Sequence, residues 1–416
     1  MPQQRDIYVY MDWCEIASPL LLGILHSEAT RGKEVFSFEP SAEWLGHPCY
    51  AKLDPDFADY GGIQYPSGGK QNFGLFLDSS PDRWGRLLIK RREAVMSRIE
   101  NRPRQHLTES DFLLGVYDNT RMGALRFKLD PEGDFLDNSH SLATPPWASL
   151  RELEYACSQY ESGIYKSDSD EAKWIRMIFA PGSSLGGARP KASIRDTDSR
   201  LWIAKFPSRY DEYDIGAWEM VAYRLATQCG ITMSASALRK FGGRHHTFLT
   251  RRFDRNAKGE RLHFASAMTM LGKTDGEDEA SYLDLAEFLS ENGCDPDGDL
   301  RQLWTRIAFN IAISNCDDHL RNHGFILTRQ GWTLSPAYDI NPSVDGWGLK
   351  LNIDSEDNAL DYDLAISVSP YFRLTKDEAA QIAAGIRNTV AGWRKAAQQI
   401  GIPKSECDYM SAAFHT

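Results

Sequence analysis

Cysteine is scarce and scattered: seven residues in 416, at positions 14, 49, 157, 229, 294, 316 and 407, with no CxxC pair among them. An odd set without paired spacing reads as reduced thiols in a cytoplasmic protein. Long apolar runs are missing too. The most apolar segment, around Pro19 to Leu25, falls well short of the ~20 residues that a membrane helix needs. The start, MPQQRDIYVYMDW, lacks the basic opening, apolar stretch and small-residue cleavage site of a secretory signal, so no membrane partner is expected. Positive charge is not in excess either. Against 47 Lys and Arg stand 58 Asp and Glu, a net charge of −11, which argues against a whole surface that grips nucleic acid or an anionic membrane. No internal repeat is visible.

What is present is an ordinary globular composition. Apolar residues make up 42%, charged residues 25% and aromatics 11%, which excludes disordered, collagen-like and coiled-coil chains. At ~150 residues per domain the length allows two or three domains, or one large two-lobed unit. The first ~130 residues read as strand-rich, with alternating segments Ile7 to Met11 and Glu34 to Phe38. Within them, Pro81 to Arg86 leads into a helical stretch, Leu87 to Ile99. Here Lys90, Arg91, Arg92, Arg98, Arg102 and Arg104 form either a solvated basic face or a binding patch. The Pro, Gly, Asp, Asn and Ser content of Asp130 to Pro146 predicts a linker with a boundary near 145.

Leu150 to Ala180 is mostly helical in pattern. Lys191 to Arg195 and Leu201 to Phe206 read as a hairpin, and Asp214 as the N-cap of a helix ending at Gly230. Thr247 to Phe253 is a further strand. From Thr274 to Leu300 there are ten acidic residues and no basic ones, and from there the chain is mainly helical: Tyr282 to Leu289, Leu300 to Ile313 and Lys376 to Ile400. One strand pair, Gly324 to Leu327 with Trp332 to Leu334, is expected among these helices.

Three constellations carry chemistry. The first is the glycine-rich run Gly182-Ser183-Ser184-Leu185-Gly186-Gly187-Ala188-Arg189-Pro190-Lys191. Glycines let backbone N–H groups approach a polyphosphate and a lysine neutralises it, but the run departs from a P-loop after Gly187, so a flexible turn is an equal reading. The second is Lys205, in the otherwise apolar Leu201-Trp202-Ile203-Ala204-Lys205-Phe206. It either faces water or sits beneath bound phosphates.

The third is Asn315-Cys316-Asp317-Asp318-His319-Leu320-Arg321-Asn322-His323-Gly324, followed by Ser335-Pro336-Ala337-Tyr338-Asp339-Ile340-Asn341. The intervening hairpin brings Asn322 near Asp339, and an amide oxygen with a carboxylate beside phosphate oxygens suits Mg2+. Asp317 is placed to orient and deprotonate an attacking hydroxyl. A rival reading takes His319 and His323, four apart, as ligands of a metal hydrolase. The lack of HExxH and the β-like residues after Gly324 count against it.

In this order and at this spacing, GSSLGGARPKA, WIAKFPS, NCDDHLRNHGF and LSPAYDINP resemble the HipA family of serine/threonine kinases, the toxins of HipBA-type toxin–antitoxin modules. FLDSSPDRWGR resembles the N-terminal subdomain of the same family. The resemblance implies an α+β, bilobal protein-kinase-like fold. Its expected parts are a strand-rich subdomain at 1–130, an N-lobe at 145–262 and a helical C-lobe at 263–416. It implies ATP and Mg2+ as cofactors and phosphorylation of a protein serine or threonine.

By the same resemblance, Asp317 would be the catalytic base, and His319 matches a histidine of the catalytic loop. Asn322 and Asp339 would hold the metal. Leu185, Gly186, Gly187, Ala188, Arg189, Pro190 and Lys191 would form the ATP loop, Lys205 would meet the phosphates, and Arg251, Arg252 and Phe253 would line the adenine as a hinge. Ser184 or Ser183 would be autophosphorylated. The implied partners are a protein substrate such as an aminoacyl-tRNA synthetase, a helix-turn-helix HipB-like antitoxin, and operator DNA mainly through that antitoxin. A catalytically quiet corepressor or scaffold is the alternative from another functional class.

Overall fold

The computed structural model describes residues 4–30, 33–136, 144–164, 167–182, 189–274, 276 and 280–415. The chain divides into two compact units, Met1–Asp211 with Asp254–Ala265, and Glu212–Phe253 with Ser266–Thr416.

The first unit is built on an antiparallel sheet of β1 (Gln4–Met11), β2 (Leu20–Thr30), β3 (Lys33–Pro40) and β4 (Leu125–Lys128), in the order β3-β2-β1-β4. Alternation sets its buried face: Ile7, Val9 and Met11 on β1 and Phe36 and Phe38 on β3 are all buried. The apolar segment around Pro19 to Leu25 is therefore an interior strand. Phe38 stacks on Phe57 with centroids 4.7 Å apart and meets Phe73 and Phe76, so one β3 residue seals a four-ring cluster. Phe135, inside the segment expected as a linker, packs edge-on against Tyr10 at 5.4 Å and lies beneath Arg126. Apolar contact thus keeps the start of that segment on the sheet. Residues 137–143 lie outside the described residues.

The basic helix starts four residues before the expected Leu87, at Arg83, because Asp82 caps it by accepting the Arg83 N–H. Its charges are largely spoken for. Arg91 and Arg98 both meet Glu171, Arg102 meets Glu93 and Glu100, and Arg92 lies over Phe179. A helix whose arginines already hold carboxylates is a packed and solvated face more than a polyanion site. Trp84 on this helix donates its indole N–H to the Lys191 carbonyl at 3.0 Å, which anchors the start of β5 (Lys191–Arg195). β5 pairs antiparallel with β6 (Leu201–Lys205). The expected helix from 150 to 180 is two helices, Leu150–Ser162 and Asp168–Gly182. Gly163, in the left-handed region at φ +65°, ends the first.

In the second unit, Asp214 caps the helix Ile215–Gln228, accepting from the Ala217 N–H at 3.2 Å. β7 (Ser236–Arg239) and β8 (Thr247–Arg251) form a hairpin. After the short β9 (Phe264–Ser266), the helices Tyr282–Asn292 and Pro296–Ile313 follow. The second begins earlier than Leu300, since Asp295 caps it, Pro296 opens it, and Asp297 and Asp299 favour its positive end. It is buried nearly all round, as expected for the helix at the centre of a core.

β10 (Gly324–Thr328) and β11 (Gly331–Leu334) form the expected hairpin. The expected single helix 376 to 400 is two, Lys376–Val390 and Trp393–Ile400, separated at Ala391 and Gly392. The break turns Trp393 onto Phe414, stacked at 4.3 Å, and towards Trp218 at 6.0 Å.

Phe38→Ala should lower the stability of the first unit by roughly 3–5 kcal/mol, the usual cost of emptying a buried aromatic site. Urea unfolding monitored by far-UV circular dichroism checks it, and a loss below about 1 kcal/mol would mean that the ring cluster is not a keystone.

Candidate active site

The helix Pro296–Ile313 ends where Ser314 takes a left-handed conformation, φ +49°, and turns the chain into Asn315-Cys316-Asp317-Asp318-His319. A short 3-10 turn, Leu320–Asn322, then leads into β10. The two adjacent aspartates part company here. Asp317 is exposed and Asp318 is only 3% exposed.

Asp318 accepts hydrogen bonds from the Tyr282 hydroxyl at 2.5 Å, Asn310 Nδ2 at 2.7 Å and His323 Nε2 at 2.8 Å. Burial alone pushes its carboxyl up, but His323 and Tyr282 outweigh this and hold it below the usual carboxylate range. Burial, and after it the same carboxylate, push the Tyr282 phenol well above its usual value. One buried anion thereby ties together the start of one helix, the last turns of another and the entry to β10.

The loop is also sewn to the segment after β11. The Tyr338 hydroxyl donates to the Arg321 carbonyl at 2.7 Å, the Asn341 N–H to Asn315 Oδ1 at 3.2 Å, and the Ser343 N–H to the Ser314 carbonyl at 3.2 Å. Between these stitches sits Asp339, at φ +58°, a left-handed conformation that aspartate tolerates and that functional sites often hold. Asn322 donates its Nδ2 to the Asp317 backbone carbonyl at 2.9 Å. With its amide nitrogen so engaged, its Oδ1 is the atom left to serve as a ligand. Together with the Asp339 carboxylate this gives a hard oxygen donor set that fits Mg2+.

The histidines fit a metal poorly. His323 Nε2 is taken by Asp318, and among the described residues no group of three or more His, Cys, Asp or Glu could hold an ion. His319 is half-buried, and its Nδ1 has no hydrogen-bond partner. Phe253 lies 5.4 Å from the Tyr338 ring, so the end of the Arg251-Arg252-Phe253 segment reaches the same loops. Arg251 is exposed and Arg252 buried.

In the first unit, Lys191 and Lys205 stand directly opposite one another across β5 and β6. Arg189 forks its guanidinium onto the Asp211 carboxylate, so its charge is committed within the unit. Pro190 accepts the Phe206 N–H at 2.9 Å. Ser183, Ser184, Leu185, Gly186, Gly187 and Ala188 lie outside the described residues.

Sequence reasoning missed two groups. Asp318 carried no mark that distinguished it from Asp317. Arg306, 2% exposed, sits in the run Trp304 to Phe309, and a charge inside such an apolar stretch was the available signal. Its Nη2 donates to the Ser335 carbonyl at 2.5 Å, while Nε and Nη1 are buried without a protein partner. They adjoin a cavity of about 10 Å³ lined also by Asn310, Asp318, Asn322, His323 and Tyr338, space for one water. Burial pushes this guanidinium down to about 10, with Asp318 opposing.

Because the folded value of Asp318 lies below its unfolded one, the hub stabilises above ~pH 4 and is lost as the pH falls through the folded value. Asp318→Asn should cost roughly 3–5 kcal/mol at pH 7, as removal of one member of a buried network does. It should also make the acid limb of stability against pH shallower by about one proton. Urea midpoints from pH 3 to 7 check this, and an unchanged acid limb would refute the role of the carboxylate.

A curated protein of Haemophilus influenzae, described as a putative kinase, is 26% identical over 178 residues, which cover 38% of this chain and 52% of that protein. The chain thus spans about half the length of that curated relative. The solved structure of HipA from Shewanella oneidensis MR-1, determined with HipB and its operator DNA, superimposes with a TM-score of 0.67. The match covers 97% of this chain and 94% of that one at 17% identity, a likeness of fold. It makes the architecture α+β and HipA-like, with the strand-rich region at its N-terminal end. Residues 183–405, more than half of the sequence, match the HipA-like C-terminal domain, and the chain belongs to that family.

Proposed function

We propose that the protein is an ATP- and Mg2+-dependent serine/threonine protein kinase of the HipA type, a growth-inhibiting toxin. The observation that carries this reading is the pairing of an exposed Asp317 with an Asn322 whose amide is oriented by the Asp317 carbonyl, in a loop stitched to Asp339. The likeness to HipA and to a protein described as a putative kinase supports it.

Asp317 would accept the proton of the substrate hydroxyl as its oxygen bonds to the γ-phosphorus and the bond from that phosphorus to the β–γ bridging oxygen breaks, releasing ADP; His319 accompanies it in the loop. Asn322 Oδ1 and the Asp339 carboxylate would hold Mg2+, which when bound would offset the charge of the triphosphate. Lys191 and Lys205, with the run Leu185 to Pro190, neutralise phosphates, and Arg251 to Phe253 flank the base. In this reading 145–262 and 263–416 act as N- and C-lobes. Ser184 or Ser183 takes phosphate from the same chemistry.

The finer proposals are a translation component such as an aminoacyl-tRNA synthetase as substrate, and a HipB-like antitoxin that brings operator DNA, as HipB and DNA accompany the Shewanella protein.

Incubation with Mg2+ and labelled ATP should label the protein on Ser183 or Ser184, read by peptide mass spectrometry. Asp317→Asn should slow transfer by about 10²–10⁴-fold with the unfolding midpoint unchanged, because the base acts only in the transition state. Asp339→Ala should abolish both transfer and the growth arrest caused by expression. If wild type neither binds ATP nor incorporates label, the kinase reading fails; if Asp339→Ala still arrests growth, the scaffold reading replaces it.

A further inference from the structure

Trp347 is 98% exposed, the most exposed large apolar side chain among the described residues. Free surface loops seldom carry a solvated indole without a use, since tryptophan is a residue that interfaces recruit for binding energy. Its two neighbours show that it is held there. A Cβ added at Gly346 would lie 2.1 Å from Cys316 Sγ and 2.3 Å from Cys316 Cβ, so that backbone abuts the cysteine as only glycine can. On the other side, a Cβ at Gly348 would lie 2.6 Å from Asn358 Oδ1 and 2.9 Å from its carbonyl oxygen. Leu349 then exchanges hydrogen bonds with Asn358, its N–H to the Asn358 carbonyl at 2.8 Å and its carbonyl to Asn358 Nδ2 at 2.7 Å. Upstream, the Ser343 N–H holds the Ser314 carbonyl at 3.2 Å. The loop therefore packs its Gly346 backbone against the side chain of Cys316, the residue immediately before Asp317, and leaves the Trp347 indole in solvent.

Charge completes the picture. Residues 343–361 carry Asp345, Asp354, Glu356, Asp357 and Asp361 against the single basic Lys350. Asp345, two residues from the indole, is exposed. A solvated indole in an acidic loop suits a cation, and tryptophan is the best aromatic for one.

We propose that Trp347, with Asp345, is a specificity-determining contact that docks an arginine or lysine flanking the phosphoacceptor residue of the protein substrate. The inference rests on the kinase reading and adds a substrate preference to it. Trp347 stands outside the chemistry, so it acts on substrate binding while ATP turnover to water proceeds without it.

The test uses the full chain, Mg2+-ATP and a serine-centred peptide library in which each flanking position is scanned, followed by a peptide pair that differs only in Arg against Gln at the preferred position. Wild type should favour the basic peptide by roughly tenfold in kcat/KM, through KM, the scale of a partly desolvated cation–aromatic contact. Trp347→Ala should bring that ratio to within about twofold of unity, Trp347→Phe should keep much of it, and Asp345→Asn should reduce it. ATP hydrolysis without peptide and the unfolding midpoint should stay at wild-type values in all three, since exposed substitutions seldom disturb stability.

A wild type without basic preference, or a preference intact in Trp347→Ala, overturns the proposal while leaving the kinase reading standing. A wild type without any ATP turnover overturns both. An unchanged preference with a dimer-to-monomer shift of Trp347→Ala in light scattering assigns the indole to self-association and likewise overturns it.

Discussion

Three donors from three elements converge on the Asp318 carboxylate, and the second unit is organised around that convergence. A buried carboxylate without partners is among the most unfavourable groups a core can contain, so the site exists only while Tyr282, Asn310 and His323 are all in place. This makes the arrangement cooperative. The helix that begins at Tyr282, the long helix that carries Asn310 and the strand that follows His323 must dock together. Once they do, Asp317 has nowhere to go but outward.

The consequence for chemistry is a division of labour between neighbours in sequence. Asp318 supplies rigidity, and Asp317 supplies an exposed carboxylate on a backbone that cannot drift. The Asp317 carbonyl orients Asn322, the Tyr338 hydroxyl fastens the loop to the segment of Asp339, and Asn315 bridges to Asn341. Groups that must act within a fraction of an ångström need such supporting bonds more than they need additional reactive neighbours. Arg306 extends the same logic beneath the site, with Nη2 on the Ser335 carbonyl and its side chain lining a cavity of water size. Cys316 plays a comparable role outward, as the side chain against which the Gly346 backbone closes.

Much of this was legible in the sequence. Alternation located β1 and β3, and the turn residues placed β5 against β6 and β10 against β11. The capping aspartate at 214 was legible too, because these signals are local and depend on a few neighbouring side chains. The errors were equally physical. The helix from 376 runs only to Val390, since the contact of Trp393 with Phe414 and Trp218 redirects the chain in spite of good helical propensity. Phe135 was hidden in a polar segment because its partner, Tyr10, lies about 125 residues earlier. The basic helix allowed two readings, a solvated face or a binding patch, and the carboxylates of Glu171 and Glu93 that hold its arginines favour the face.

The sequence by itself determined the types of residue available, paired aspartates, an asparagine and a further aspartate on one loop pair, and lysines on a hairpin, in an order that marks the family. Only the tertiary structure decided which aspartate faces water, which lysine stands opposite which, and that the loop bearing the exposed Trp347 packs against Cys316. Burial and pairing are properties of the whole packed chain. Two adjacent residues of the same type are chemically identical until distant donors choose between them.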